Sequence, residues 1–300
     1  MAQQLRSLKR RIDSVKSTQK ITSAMELIAS SRIIKAQQRV AAARPYADTI
    51  RRLMASVART STSLDHPLLT GRDDVSSVGM IVVSSDRGLA GAYNSNVIRA
   101  AERDMREHGK DTRLYLIGKK AVSYFKFRGH EFEDSWTGVS EQPSIDDARA
   151  AATAAMKAFS EGEVDQVRLA YTKFHSMLVQ RPTVVQLVPL PREEIEGDED
   201  DERTGGAQYE FEPGPEDILD LLVPRYVEGL ILQGMLESAA SEHAARRRAM
   251  KAATDNAEEL IEDLTRNYNQ ARQAEITTEI MEVVGGAEAL GANAGGGSSR

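Results

Sequence analysis

MLESAASEHAARRRAMKAATDNAEELIEDLTRNYNQARQAEITTEIMEVV, residues 235–284, is a run of 50 residues without one glycine or proline. Ala, Glu, Arg, Leu and Met dominate it, and these side chains keep their rotamer freedom in a helix, so the run predicts one unbroken helix. Such a helix would be roughly 75 Å long, against about 11 to 12 residues for an average helix. It must project beyond any compact domain. Met250, Ala253, Ala257, Leu260 and Leu264 step by 3 and 4, a coiled-coil seam narrower than the stripe of a core helix. A seam that narrow needs a partner helix.

The N-terminal segment supplies the candidate partner. Over residues 3–44, Leu5, Leu8, Ile12 and Val15 keep seam spacing, and Thr18, Ile21, Met25 and Ile28 continue after a skipped residue that would shift the supercoil. Pro45 predicts a break or kink before a helical pattern resumes over 46–59. Outside its seam this helix is basic, with Arg6, Lys9, Arg10, Arg11, Lys16, Lys20, Arg32, Lys35, Arg39 and Arg44 against Asp13 and Glu26. Alone, that reads as a surface for nucleic acid or anionic membrane. Residues 255–282 are acidic instead, with Arg266 and Arg272 as their only basic residues. Antiparallel pairing of the two ends would set a basic flank against an acidic one, steering partner choice more than adding stability.

Between the helices the pattern changes. SVGMIVVSS (77–85) is a buried-strand run followed by a glycine-containing turn and a helix over 93–107. RLYLI (113–117) leads into a helix over 119–128, and HEFEDSW (130–136) into a helix over 144–160 that opens with Ser144 and Asp147, a capping box with Asp in place of Glu. Two more strands follow, at 167–177 and 183–190. The fold class expected is therefore α/β: a long antiparallel α-helical coiled coil formed by the N- and C-terminal segments, with an inserted small, mostly parallel, Rossmann-like α/β domain. The expected boundaries are 1–60 for the N-terminal coiled-coil helix, 75–190 for the inserted domain, 191–212 for an acidic flexible loop, 213–290 for the C-terminal helix and 291–300 for a Gly-rich flexible tail. The loop has eight acids between 193 and 202, a run that cannot bury itself. One chain would make a rod and a globular foot.

The chemistry of an enzyme is largely missing. The chain has 300 residues, 41% hydrophobic and 28% charged, with net charge −6 and no cysteine, which excludes disulfides, thiolate chemistry and Cys-based metal sites. It has no apolar run long enough to span a bilayer and no apolar signal region near its first residues. SSDRGLAG (84–91) sits where a phosphate-binding loop would sit, but lacks G-x-G-x-x-G spacing, and Asp86 would face the phosphates, so it reads as a tight structural turn. Gly118, Lys119 and Lys120 do not complete a G-x-x-x-x-G-K-[ST] loop. Histidines at 66, 108, 130, 175 and 243 lack metal-ligand spacing, and no serine lies in a G-x-S-x-G setting. No catalytic residue, metal ligand or cofactor is expected.

ITTEIMEVVGGAEA (276–289) is similar throughout to I-T-x-E-x-x-E-x-x-x-G-A-x-A, the C-terminal signature of the gamma subunit of the F-type ATP synthase. KITSAMELIASSRIIKAQ (20–37), SSDRGLAGAYNSNV (84–97), SEHAARRRAMKAATDNA (241–257) and NYNQARQA (267–274) resemble that family's N-terminal helix, first strand and turn, and C-terminal helix, in the right order over nearly the whole chain. Two departures stand out: Ala90, where the family often has cysteine, and an acidic loop after Arg192 that is longer and more charged than usual.

The resemblance implies a central-stalk rotor that couples proton flow through a membrane ring to ATP synthesis or hydrolysis in a catalytic head, without an active site of its own. It implies alpha and beta head subunits, an epsilon subunit and the c-ring as partners, one copy per complex, no nucleic acid, and a peripheral place on the cytoplasmic face of the cell membrane. By motif match, Lys20, Met25 and Arg246 would lie near the acidic lever of the beta subunits, and Arg272 with Gln273 would meet the loops that catch the shaft. Ile276, Ile280, Val283, Val284, Ala287 and Leu290 would form an apolar tip turning in a hydrophobic sleeve. Arg32, Lys35, Arg247, Arg248 and Lys251, which lack opposing acids in the sequence, would stay available to an acidic partner. Two alternatives stand beside this: a coiled-coil nucleic-acid adaptor, marked by steep salt dependence, and an α/β enzyme with a coiled-coil arm, marked by a ligand in the strand-end crevice.

Overall fold

The structure, a computed structural model, describes residues 2–60, 66, 68–72, 74–108, 111–191 and 215–295. The acidic run at 193–202 lies outside the described residues. In chain order the elements are α1 (Ala2–Thr60), β1 (Ser77–Val83), α2 (Tyr93–His108), β2 (Asp111–Ile117), α3 (Lys119–Phe127), β3 (Asp134–Trp136), α4 (Ile145–Ser160), β4 (Gln166–Phe174), β5 (Gln180–Val188) and α5 (Pro215–Gly295). They divide into two compact units, residues 1–27 with 250–300, and residues 28–249.

In the first unit, α1 and α5 lie antiparallel, and the hydroxyls of Thr22 and Thr254 meet at 2.8 Å. Burial corrects the seam read from apolar residues alone. On α1 the inward positions are Leu5, Leu8, Ile12, Val15, Gln19 and Thr22, an unbroken alternation of 3 and 4 with no skipped residue. Thr18, Ile21 and Ile28 point outward, Ile21 with 60% of its surface exposed. On α5 the seam runs through Met250, Thr254, Ala257, Ile261, Leu264, Tyr268 and Ala271, so Ile261 replaces Leu260, while Ala253 and Thr254 are both half-buried. A heptad stripe keeps its period even where small or polar residues fill it. Counting outward from Thr22 and Thr254, the start of α1 comes opposite residue 274, and residues 276–287 of α5 are all exposed. That part of α5 has run past the end of its partner helix.

The second unit is built on a five-stranded sheet in the order β3-β2-β1-β4-β5. Strands β3, β2, β1 and β4 are parallel, and β5 pairs antiparallel with β4. Period-two alternation divides the side chains between two cores. Met80, Val82, Leu114, Leu116 and Ala170 face α2 and α3. Ile81, Val83, Tyr115, Ile117 and Leu169 face the other way, packing with Ala151 and Ala155 of α4, Ile50, Met54 and Val57 of α1, and Val223, Val227, Ile231 and Met235 of α5. Helix α4 opens with the expected capping box: Ser144 Oγ accepts from Asp147 N at 3.2 Å, and Asp147 Oδ2 accepts from Ser144 N at 2.9 Å.

This packing overrides several local signals. Pro45 does not end α1, which continues to Thr60. The ring faces solvent, and the turns after it are held by burial of Ile50, Met54 and Val57. Helix α5, expected over 213–290, starts at Pro215 and continues through Pro224, Gly229 and Gly234, held by burial of Leu219, Val223, Tyr226, Val227 and Ile231 against the sheet. A Cβ on Gly234 would lie 2.8 Å from Leu169 Cδ2, so glycine here lets the helix backbone approach β4 closely. At its other end α5 runs through Gly285 and Gly286 and into the first residues of the expected Gly-rich tail, 291–295. The strand expected over 130–136 shrinks to Asp134–Trp136, because Gly129 turns the chain at φ 76° after α3.

Candidate functional site

In a sheet of this kind a small ligand would bind at the carboxyl ends of the strands, where β1 and β4 diverge. The β1–α2 turn that occupies this place spends its polar groups on the chain itself. Ser84 Oγ donates to the carbonyls of Ile117 and Gly118 at 3.0 and 3.2 Å, and accepts from Ala121 N at 2.9 Å. Ser85 Oγ donates to Asn94 Oδ1 at 2.9 Å. Asp86 accepts from the backbone amides of Lys119 at 3.1 Å and Ser140 at 3.0 Å. Burial opposes ionisation of Asp86, but backbone hydrogen bonds from Gly138, Ser140 and Lys119 outweigh it and hold its carboxyl below the usual range. This aspartate staples three loops together, and no phosphate could share its site.

Helix α5 closes the crevice from the side. Arg246 donates through Nε and Nη2 to the Gly88 carbonyl at 3.3 and 3.2 Å and pairs with Glu242 at 2.5 Å. Its Nη1 lies 3.3 Å from His243 Nδ1. Glu242 is wholly buried; desolvation pushes its carboxyl up, against the pull of Arg246. Burial and the neighbouring Arg246 push His243 down to about 4. Tyr93 is pushed above its ordinary value by burial and by Glu242. Such a cluster fixes a helix on a loop, and among the described residues no group of acids and histidines could hold a metal ion.

The expected contact residues are not brought to one place. Lys20 is exposed and Met25 half-buried on α1. Arg272 and Gln273 are exposed on α5, separated from residue 251 by roughly 30 Å of helix. Ile276, Ile280, Val283 and Val284 are 43%, 58%, 73% and 53% exposed, and the side chain of Leu290 lies outside the described residues. Arg246 departs from expectation: it is 6% exposed and turned inward, because its neighbour Glu242 needs a cation where both are buried. Other cations expected to be available are also engaged. Arg32 pairs with Glu141 at 2.6 Å, Lys251 with Asp255 at 2.7 Å, and Arg248 donates to the Met177 and Leu178 carbonyls at 2.9 and 3.0 Å. Lys20 and Lys35 remain exposed. The Glu242–Arg246 pair was legible in principle, as an acid four residues before a base on a helix.

Comparison with known proteins adds a second line of evidence. A family model described as ATP synthase matches residues 4–290. The ATP synthase gamma chain of Acidothermus cellulolyticus is 52% identical over 299 residues, spanning 97% of this chain and 98% of the relative. That of Saccharopolyspora erythraea is 48% identical over 304 residues, spanning 96% and 97%. Among solved structures, a chain of the Euglena gracilis mitochondrial ATP synthase (OSCP/F1/c-ring, rotational state 3) aligns with TM-score 0.67 at 16% identity, over 100% of this chain and 99% of that one. A chain of the Tetrahymena thermophila mitochondrial ATP synthase central stalk/c-ring aligns with TM-score 0.57 at 22% identity, over 78% and 99%. At these identities the structural matches speak for the fold.

Proposed function

Because this chain belongs to the ATP synthase gamma-chain family, and so is a central-stalk rotor subunit of that synthase, we propose that it acts as a shaft without chemistry of its own, seated between the head and the membrane ring. The observation that carries this reading is the stretch of α5 past residue 275. There the helix has no α1 beside it, yet Ile276, Ile280, Met281, Val283 and Val284 are exposed. Large apolar side chains left in water on one helix mark a surface that a partner covers. A sleeve of head subunits would cover this one without gripping it, since apolar contact is non-directional and varies little with rotation angle.

The alpha and beta subunits of the head, the epsilon subunit and the c-ring are the partners this role requires, with one shaft per complex. No helix among the described residues is long and apolar enough to cross a membrane, which agrees with peripheral attachment through the ring on its cytoplasmic face. The β1–α2 turn, whose Ser84, Ser85 and Asp86 are bonded to the chain itself, supports the non-catalytic assignment, and family membership displaces the nucleic-acid adaptor and the coiled-coil-armed enzyme.

Lys20, Met25, Arg272 and Gln273 are the angle-dependent contacts with the head, whereas Arg246 is turned inward onto Glu242 and the Gly88 carbonyl. A guanidinium donates in a fixed fork to carboxylates of a passing subunit, and truncating one member of a desolvated charge pair costs about 2 to 5 kcal/mol. Arg272→Ala is therefore expected to assemble at normal stoichiometry with lowered ATP-driven turnover and proton-coupled synthesis. Arg272→Lys should fall between, keeping charge without the fork. Undiminished turnover and synthesis in a normally assembled alanine variant would remove Arg272 from the contact.

A further inference from the structure

In the second unit α1, α4 and α5 meet around a cavity of about 350 Å³ that the core does not fill. On α1 its lining follows helical spacing from Val40 to Ala47, and on α5 from Gly229 to Leu236, so each helix turns one face toward it. Ile145, the first residue of α4, completes the wall. Two such faces would ordinarily interlock, but Ala47 and Gly229 supply little bulk here. Protein interiors hold few voids larger than a water molecule, and a volume of this size falls at the lower end of ligand clefts, about 300 to 1,000 Å³.

Gly229 is buried inside α5, yet a Cβ placed on it would meet nothing within 4 Å. Five residues on, Gly234 has a packing reason, since its Cβ would lie 2.8 Å from Leu169 Cδ2. Gly229 has no such neighbour, and glycine in a helix interior costs stability relative to alanine. Its missing side chain keeps the cavity open. The mouth is polar: Arg44 and Tyr46 are the lining residues that are exposed, so the cavity reaches solvent beside them. Among the described residues no carboxylate pairs with Arg44, Asp48 one turn along α1 included. Acids on the adjoining turns of α5 are engaged, Glu228 by Arg149 and Arg225 at 3.3 and 2.9 Å, and Glu237 by Gln233 Nε2 at 3.0 Å.

We propose that this cavity binds a single-chain aliphatic carboxylate, a medium-chain fatty acid, with its tail against Gly229 and its carboxylate on Arg44. A guanidinium matches a carboxylate through two parallel hydrogen bonds, while apolar walls reward each methylene withdrawn from water. One short chain suits the volume, and a lipid with two long chains exceeds it. The bound acid would touch all three helices and fill the gap between α1 and α5. The site lies wholly within the second unit and does not rest on the rotor reading.

Decanoate is titrated into the full-length chain by calorimetry, beside decanol and vesicles of phosphatidylglycerol. One decanoate should bind per chain, decanol roughly fivefold more weakly, and the vesicles should not retain the chain. Across the saturated acids affinity should rise about fourfold per methylene and level off once the cavity is full, whereas adsorption to an open surface would keep rising. Arg44→Gln, a change at an exposed position, should weaken decanoate roughly fivefold and leave decanol unchanged. Gly229→Leu should fill the cavity and abolish binding of both. On illumination, a decanoate analogue with a diazirine at its tail should label residues within 40–47 or 229–236, and excess decanoate should suppress the adducts. Undiminished decanoate binding in Arg44→Gln or in a folded Gly229→Leu would overturn the proposal. So would affinity that never levels off, retention by the vesicles, or adducts elsewhere or absent. Should Gly229→Leu fail to fold, Arg44→Gln, the chain-length series and the adducts decide the matter.

Discussion

Arg246 and Arg272 carry the same charge on the same helix, and their surroundings assign them opposite work. Around Arg246, Glu242 is wholly buried, so removing the guanidinium strands a carboxylate away from water. Breaking a buried pair from one side costs about 3 to 5 kcal/mol. Arg246→Ala should lower the urea midpoint of the free chain by a corresponding amount, and adding Glu242→Gln should recover part of the loss, because the stranded group is then neutral. If Arg246→Ala unfolded at the wild-type urea concentration, the pair would be incidental to stability. Arg272, exposed on α5, should leave that midpoint unchanged and act through the assembled complex alone.

At the scale of the element, the seam of the coiled coil sets which neighbouring side chains matter. Leu260 is 43% exposed, while Ile261 turns toward α1 one step further on. Ile261→Asn should destabilise by about 1 to 2 kcal/mol and Leu260→Asn by less than about 0.5 kcal/mol. Equal losses, or the reverse order, would restore the seam through Leu260. The same register bounds the order of α5. A helix draws most of its stability from tertiary packing, and residues 276–287 are exposed with no α1 alongside. Hydrogen exchange on the free chain should find these amides close to unprotected and those around Leu264 protected, and assembly should slow exchange at the tip. Strong tip protection in the isolated chain would sever helix order there from assembly.

For the whole molecule, buried titrating groups tie stability to pH. His243 is held down to about 4 by burial and by Arg246, so between pH 6.5 and about 4 the unfolded chain takes up a proton that the folded chain refuses. Its contribution is complete above pH 6.5, is lost as acid passes through that window, and amounts to at most about 3 kcal/mol. Glu242 acts in the opposite sense, since its raised folded value favours the protonated fold as pH falls toward the ordinary carboxylate range. Asp86 and Asp165 are both depressed, Asp165 chiefly by Arg72, and their contributions persist above about pH 4 and are lost as pH falls through their folded values. The melting temperature of the free chain should fall between pH 6.5 and about 4, through loss of the His243 contribution, and fall further below pH 4 as the aspartates protonate. His243→Gln should flatten the first fall and leave the second. A first fall of wild-type size in His243→Gln would exclude this histidine as its source.

Much of this was legible in residue order. Uninterrupted helix formers over 235–284 announced a long α5, and the runs at 77–85 and 113–117 announced parallel strands, because period and propensity are local properties. Missing glycine spacing and missing cysteine already argued against nucleotide and thiol chemistry. The signature at 276–289 carried the functional expectation as far as an apolar tip and a contact at Arg272. Tertiary structure alone decided the rest. Pro45, Pro224, Gly229 and Gly234 sit inside helices because burial against the sheet outweighs their local cost. Gln19, Thr22 and Thr254 lie in the seam because register follows the partner helix and not the hydrophobicity of each position. Arg246 points inward while Arg272 points out, since whether a charge is spent or offered depends on which groups the fold places within about 3 Å of it, and residue order does not contain that distance.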